Sequence, residues 1–77
     1  MENSIKVFGK QGCQQCRMVK NFLEKGGYDF TYIDINEDAT AMQELQNAGF
    51  KSLPVTKRKD GSYIVGFNVN LLRMMDK

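Results

Sequence analysis

The chain has 77 residues, of which 42% are hydrophobic and 26% are charged, and its formal net charge at neutral pH is +2. This length predicts one domain over residues 1–77 with a single hydrophobic core. The apolar runs are too short for a membrane-spanning helix, and the charge is too small to indicate nucleic-acid binding. The first residues lack the basic and apolar segments of a secretion signal, so we expect a cytoplasmic protein with neither a membrane nor a nucleic-acid partner.

The first half of the chain alternates strand and helix patterns. Residues 4–8 alternate apolar and polar side chains, which predicts a first strand. Gln14–Lys25 contains no glycine or proline and has apolar side chains at three- and four-residue spacing, which predicts an amphipathic helix. Gly26 and Gly27 are expected to end this helix, and residues 28–35, rich in aromatic and β-branched side chains, are expected to form a second strand.

Two further helices are predicted in the second half. Residues 37–49 have acidic side chains in the first turn, apolar side chains at helical spacing and a glycine at the end. Asn36 or Asp38 can cap this helix. Near the end of the chain, Asn68 or Asn70 can cap a short helix with apolar side chains on one face.

A β-hairpin is predicted between these two helices. Pro54 stands immediately before a strand over residues 55–59. Asp60 and Gly61 follow, and this pair is a strong signal for a tight hairpin turn. The return strand is expected over residues 62–67.

The order strand, helix, strand, helix, strand, strand, helix indicates an α/β fold. Strands separated by helices pair in parallel through right-handed crossovers, and the hairpin adds an antiparallel edge strand. We therefore predict a four-stranded mixed sheet flanked by three helices, in the order βαβαββα. The basic side chains of Lys57, Arg58 and Lys59 are interpreted as a solvated strand edge protected by charge.

Cys13 and Cys16 are the only cysteines, and the chain has no histidine. A disulfide between them would close so short a loop that chain entropy accounts for only about 2 kcal/mol of stability. As a metal site in one chain they supply two of the four ligands that a closed zinc site needs. Two chains could still combine their thiolates around zinc or an iron–sulfur cluster, so a dimeric metal carrier remains an alternative.

A redox-active pair agrees best with the position of the two cysteines. Cys13 falls where the loop after the first strand turns into the first helix, and the positive end of that helix favours a thiolate. Lys10 and Arg17 can further stabilise this thiolate. Cys16 lies one turn later on the apolar face and should be less exposed. We therefore predict that Cys13 attacks a partner disulfide and that Cys16 resolves the mixed disulfide, without a metal or an organic cofactor.

Three short segments carry a further signal, "CQQC" at residues 13–16, "SLPV" at residues 52–55 and "VGF" at residues 65–67. With these segments the chain resembles the glutaredoxin branch of the thioredoxin fold along essentially its whole length. Together they look most like the small NrdH-type redoxins, which are glutaredoxin-like in sequence, thioredoxin-like in activity, and supply electrons to class Ib ribonucleotide reductase. The resemblance implies a thioredoxin-like (glutaredoxin) fold and a dithiol–disulfide oxidoreductase.

The resemblance also implies roles for residues around the cysteines. Pro54 would follow a cis peptide bond opposite the cysteines, and Leu53 would offer its backbone to an extended substrate segment. Phe67 would line the partner groove, although a place in the core over the last helix is an alternative. The residues expected to contact the partner are Gln14, Gln15, Leu53, Pro54, Gly66 and Phe67, with a solvated helix surface as the alternative for the two glutamines.

The same resemblance bears on the source of electrons. Relatives that use glutathione usually have Pro-Tyr between the cysteines and one or two aspartates after a Gly-Gly pair. This chain has two glutamines in the first place, and Asn68, Val69 and Asn70 in the second region. We therefore expect a monomer that thioredoxin reductase recharges, with ribonucleotide reductase as a candidate acceptor. A glutathione-dependent glutaredoxin is the first alternative.

Overall fold

The computed structural model describes residues 4–75, and within them the predicted order of strands and helices is confirmed. The elements are β1 (Ile5–Gly9), α1 (Gln14–Lys25), β2 (Phe30–Asp34), α2 (Ala39–Asn47), β3 (Val55–Lys57), β4 (Tyr63–Val65) and α3 (Val69–Arg73). The bounds of α1 are those predicted. None of the helices within residues 4–75 has the length and apolar character needed to span a bilayer.

The strands form one mixed sheet in the order β2-β1-β3-β4, which confirms the predicted sheet type. β1 pairs in parallel with β2 and antiparallel with β3, and β3 pairs antiparallel with β4. The interpretation of Lys57, Arg58 and Lys59 as a strand edge is wrong, because β3 lies between two other strands. Lys57 is instead part of an ion pair, with its Nζ atom 2.9 Å from Oε2 of Glu44 on α2.

The hairpin turn lies where Asp60 and Gly61 predict it. The N–H of Arg58 donates to the carbonyl of Ser62 at 2.7 Å, and the N–H of Gly61 donates to the carbonyl of Arg58 at 2.9 Å. Gly61 has a φ of +91°, which glycine adopts without the steric cost that a side chain would add. Because Arg58 already belongs to the turn, β3 ends at Lys57, two residues earlier than predicted.

Helices cover both faces of the sheet. On one face, α1 and α3 pack against the strands around a core of Ile5, Val7, Val19, Leu23, Ile64, Leu72 and Met75. On the other face, Ala41 and Leu45 of α2 pack against Phe8 and Val55. Neighbouring residues of β1 thus contribute to opposite cores, as the alternation of side chains along a strand requires. Because β1 is buried on both faces, its position is fixed. The start of the loop that leads from β1 to Cys13 and α1 is thereby fixed as well.

Each helix begins at a residue whose side chain accepts a hydrogen bond from the first turn. Asp38 caps α2 through its Oδ1 atom, 3.1 Å from the N–H of Ala41. Asn68 caps α3 through its Oδ1 atom, 3.2 Å from the N–H of Leu71. Of the alternatives that the sequence left open, Asp38 and Asn68 are therefore the caps. The residue in the same position before α1 is Cys13.

Candidate active site

Cys13 is the N-cap residue of α1, with an extended backbone at φ −94° and ψ 110°. Its Sγ atom accepts a hydrogen bond from the backbone N–H of Cys16 at 3.3 Å. Gly12, at φ +79°, lets the loop turn sharply into the helix just before this position. The free N–H groups of a first helical turn carry partial positive charge, so they stabilise an anion placed on Cys13.

Cys16 lies one turn later and has no exposed surface, whereas Cys13 is only half-buried. The predicted difference in exposure is therefore confirmed. Burial, followed by the hydrogen bond with Cys13, raises the pKa of Cys16 to about 11. Cys16 is consequently a neutral thiol at physiological pH, and it must lose a proton before it can act as a nucleophile.

The peptide bond between Leu53 and Pro54 is cis, as the family resemblance implied. Pro54 is buried, and its carbonyl accepts a hydrogen bond from the N–H of Gly66 at 2.8 Å. Oε1 of Gln15 lies 3.8 Å from the position that a β-carbon would take on Gly66. The three sequence segments that carry the resemblance therefore meet at one end of the sheet.

The other predicted partner residues lie around this meeting point. Gln14 is exposed on α1, next to Arg17 and Met18. Phe67 is half-buried and packs edge-on against Phe22, with 6.2 Å between the ring centroids. Phe67 thus takes part in the core beside α1 and is also partly exposed. Partner contacts by these residues stay a prediction.

A groove of about 430 Å³ begins beside Leu53 and runs along α2. Its apolar lining includes Met42, Phe50 and Leu53, and two lysines also line it. Lys10 and Lys51 are both exposed there. The groove therefore combines an apolar surface with positive charge near the cysteines.

Neither Lys10 nor Arg17 forms a side-chain hydrogen bond or ion pair with another residue of the described chain, 4–75. The backbone N–H of Lys10 interacts with the thiol of Cys16, and the backbone N–H of Arg17 donates to the carbonyl of Cys13 at 3.2 Å. Their charged groups can thus affect Cys13 only through space, and the predicted stabilising role remains a prediction.

Tyr32 lies beside Cys16, a position that its own sequence segment does not indicate. Its hydroxyl and Sγ of Cys16 both occupy the region that a β-carbon on Gly9 would fill. Burial, followed by the charges of Cys16 and Asp34, raises the pKa of Tyr32. The contact depends on the register of β1 and β2, in which Tyr32 pairs with Val7. That register cannot be read from either strand alone.

The two cysteines are arranged as thiol–disulfide exchange requires. Cys13 and Cys16 are both free thiols, one accessible at a helix N-terminus and the other buried behind it. Between residues 4 and 75 there is no cluster of three or more histidine, cysteine, aspartate or glutamate side chains that could hold a metal ion. In such a pair, an external disulfide meets the accessible sulfur first.

Comparisons with known proteins point to the same chemistry. The glutaredoxin family model matches residues 5–60. The glutaredoxin-like protein NrdH of Escherichia coli strain K12 is 30% identical over 71 residues, which cover 92% of this chain and 86% of that protein. The N-acetyl-S-hydroxy-L-cysteine reductase of Bacillus subtilis strain 168 is 34% identical over 64 residues, covering 82% and 69% of the two chains. The solved structure of the Escherichia coli NrdH-redoxin, a glutaredoxin-like protein with a thioredoxin-like activity profile, aligns with a TM-score of 0.86 at 28% identity and covers 96% and 97% of the two chains.

Proposed function

The chain belongs to the glutaredoxin family of thiol–disulfide oxidoreductases, among its NrdH-type members, and we propose that it reduces protein disulfides with electrons from thioredoxin reductase. One observation carries this proposal: the half-buried Cys13 caps α1 while the fully buried Cys16 donates a backbone hydrogen bond to its sulfur. This arrangement favours an anionic, accessible sulfur with a second thiol held close behind it.

The proposed reaction has two exchange steps. The thiolate of Cys13 attacks one sulfur of the partner disulfide, which forms a mixed disulfide and releases the other partner sulfur as a thiolate. Cys16 then loses its proton and attacks Sγ of Cys13, which forms the Cys13–Cys16 disulfide and releases the second partner sulfur. The partner gains two electrons and two protons, and a reductase must return two electrons to the oxidised protein.

We propose that the partner binds as an extended segment beside Leu53. Within residues 4–75, the backbone N–H and C=O of Leu53 form no hydrogen bond, so they are available to an added strand. The adjacent groove offers an apolar surface, and Lys10 and Lys51 favour acidic side chains in the bound segment. Such a site suits a protein better than a small polar molecule.

Support for thioredoxin reductase over glutathione comes from the start of α3. The first turn of this helix has no acidic residue, and the side chain of Asn68 is occupied in capping it. The ammonium group of glutathione would therefore find no carboxylate in this region. The NrdH resemblance makes ribonucleotide reductase the acceptor that we propose to test first. We further propose a cytoplasmic monomer whose dithiol is its only redox group.

A coupled assay tests the electron donor. The oxidised protein is supplied either with NADPH and thioredoxin reductase, or with NADPH, glutathione and glutathione reductase, and NADPH oxidation is followed with a disulfide-bearing protein as acceptor. We expect turnover with thioredoxin reductase and little with glutathione. Turnover with glutathione alone would contradict the proposal. The Cys13→Ser variant serves as the control, because it lacks the proposed nucleophile.

The name of the Bacillus subtilis relative suggests a second candidate substrate, a small sulfenic acid, in which the sulfur carries a hydroxyl group. Cys13 would attack the hydroxylated sulfur, release hydroxide and form a mixed disulfide, which Cys16 would resolve with release of the small thiol. The same assay with N-acetyl-S-hydroxycysteine as acceptor compares kcat/KM for this small substrate with kcat/KM for a protein disulfide. The exposed groove beside Leu53 leads us to expect a higher kcat/KM for the protein disulfide.

The dimeric metal carrier makes different predictions. If the protein were such a carrier, a preparation purified anaerobically would be coloured by an iron–sulfur cluster or would contain zinc, and it would elute as a dimer. We expect a colourless monomer without stoichiometric metal. A dimer with bound iron or zinc would support the carrier instead.

A further inference from the structure

The end of β1 has a close contact among three residues from three elements. Gly9 is the last residue of β1, Tyr32 lies on β2 and Cys16 lies on α1. A β-carbon on Gly9 would overlap the hydroxyl of Tyr32 and would lie 3.0 Å from Sγ of Cys16. Real β-carbons essentially never approach another atom as closely as this one would approach the hydroxyl, and the approach to the sulfur would also be tight, so the absence of a side chain at Gly9 lets the hydroxyl and the sulfur share this space.

The backbone explains why Tyr32 reaches this position. Residues that are in register in a sheet place their side chains on the same face, and Tyr32 pairs with Val7. Val7 belongs to the core beneath α1, and the ring of Tyr32 packs against that core. Nζ of Lys20, one turn after Cys16, lies 5.3 Å from the centroid of the Tyr32 ring. Ring packing and this cation–π contact together hold the tyrosine in place.

We propose that the hydroxyl of Tyr32 donates a hydrogen bond to the thiolate that forms on Cys16 when it resolves the mixed disulfide. This inference rests on the proposed roles of Cys13 and Cys16. Tyr32 acts as a donor rather than a base, because its raised pKa keeps the phenol protonated at neutral pH. A protonated hydroxyl can stabilise a sulfur anion without giving up its proton.

The need for such a donor follows from the burial of Cys16. A buried sulfur loses the solvation that would stabilise its anion, and this desolvation is the main cause of its high pKa. The backbone N–H of Lys10 and the hydroxyl of Tyr32 both oppose this effect. The other titratable groups facing this region are Cys13 at the N-cap of α1, Lys20 on α1 and Asp34 on β2, and negative charge on Asp34 does not favour an anion.

The step remains balanced with Tyr32 as a spectator that keeps its proton. Cys16 loses its proton to water, its sulfur attacks Sγ of Cys13, and the bond between Cys13 and the partner sulfur breaks. The partner sulfur leaves with the electron pair and takes up a proton from water. When the reductase later opens the Cys13–Cys16 disulfide, Cys16 leaves as a thiolate, and the same hydroxyl stabilises it.

The direct test measures the protonation of Cys16 without any partner. In a Cys13→Ser background, the rate of Cys16 alkylation by iodoacetamide is followed against pH with and without Tyr32→Phe. Phenylalanine keeps the ring and its contacts with the core and Lys20. We expect the alkylation rate at about pH 8, well below both pKa values, to fall about threefold, because loss of the hydrogen bond leaves about tenfold less thiolate and each thiolate is more nucleophilic. An unchanged rate in a folded variant would overturn the proposal.

Tyr28→Phe is the matched control. Tyr28 is also half-buried, and its hydroxyl lies 3.5 Å from the carbonyl of Arg73. It follows the C-terminal end of α1, which lies about 14 Å along the helix axis from Cys16. Loss of this hydroxyl should leave the alkylation profile unchanged. An equal fall in rate in both variants would indicate a general effect on stability and would contradict a specific role for Tyr32.

A second measurement uses the intact dithiol and Ellman's reagent. Cys13 releases the first thionitrobenzoate, and Cys16 releases the second when it resolves the mixed disulfide. In Tyr32→Phe we expect an unchanged first phase and a second phase about threefold slower near neutral pH, because about tenfold less thiolate forms but each thiolate is more nucleophilic. Two unchanged phases would argue against the proposal. Both tests are independent of the reductase, so a wrong electron donor would leave them interpretable.

Discussion

The backbone N–H of Cys16 donates a hydrogen bond to Sγ of Cys13 at 3.3 Å, so the buried cysteine orients the sulfur of the half-buried one. A serine, threonine, asparagine or aspartate side chain usually caps a helix in this way. Here the thiol of Cys13 takes that position. The partial positive charge at the start of α1 therefore acts directly on the sulfur that an external disulfide can reach.

Exchange of each cysteine for serine should separate their roles. Cys13→Ser is expected to abolish disulfide reduction, because the remaining thiol is buried and protonated at neutral pH. Cys16→Ser should still attack a partner disulfide and should accumulate the mixed disulfide, visible by mass spectrometry without reductant. Retention of activity by Cys13→Ser, or a mixed disulfide formed through Cys16, would reverse the assignment.

The sequence predicts this site well where the information is local. The apolar spacing in α1 predicts its bounds, and the order of the elements predicts that Cys13 lies where the loop turns into that helix, as it does. Strand order is not local, and for that reason the sequence pattern predicts an edge position for the basic residues after Val55 although β3 is central. The contact of Tyr32 with Cys16 requires the parallel register and the missing side chain of Gly9 together, and neither can be seen in a single segment.

Glu44 links α2 to the hairpin and should contribute pH-dependent stability. Its Oε2 atom accepts hydrogen bonds from Nζ of Lys57 at 2.9 Å and from the hydroxyl of Tyr63 at 2.8 Å. Burial alone would raise the pKa of Glu44, but the two hydrogen bonds together outweigh it and lower this pKa. Because the folded pKa lies below the unfolded one, the stabilisation is present above the unfolded pKa and is lost as the pH falls through the folded pKa.

Glu44→Gln should therefore lower the free energy of unfolding by about 1 kcal/mol at neutral pH, a modest value because the pair is partly exposed. The difference between the two proteins should shrink below about pH 4, where the wild-type carboxylate also becomes protonated. Urea unfolding at several pH values measures it. Glu24→Gln, at an exposed position on α1, is the control. An equal loss at neutral and acidic pH would rule out the charge as the cause.

Gly9 and Tyr32 should be energetically coupled. Gly9→Ala introduces a β-carbon into space held by the Tyr32 hydroxyl and Sγ of Cys16, so we expect destabilisation of about 1–3 kcal/mol from overpacking. Tyr32→Phe removes the closest of these atoms, and Gly9→Ala should therefore cost less in that background. Urea unfolding of the two single variants and the double variant gives the coupling, which we expect to be about 1 kcal/mol. Additive effects would show that the hydroxyl does not occupy this space.

The start of α3 should decide whether glutathione can serve as electron donor. Asn68→Asp together with Val69→Asp supplies the carboxylates that glutathione-dependent relatives carry there, and aspartate caps a helix as well as asparagine does. We expect this variant to gain about tenfold in glutathione-coupled turnover, because the ammonium group of glutathione obtains a charged partner. Asn68→Ser keeps a neutral cap and should gain nothing. If both variants gained equally, or if neither did, the selectivity would reside outside α3, and the two glutamines between the cysteines would be the next residues to exchange.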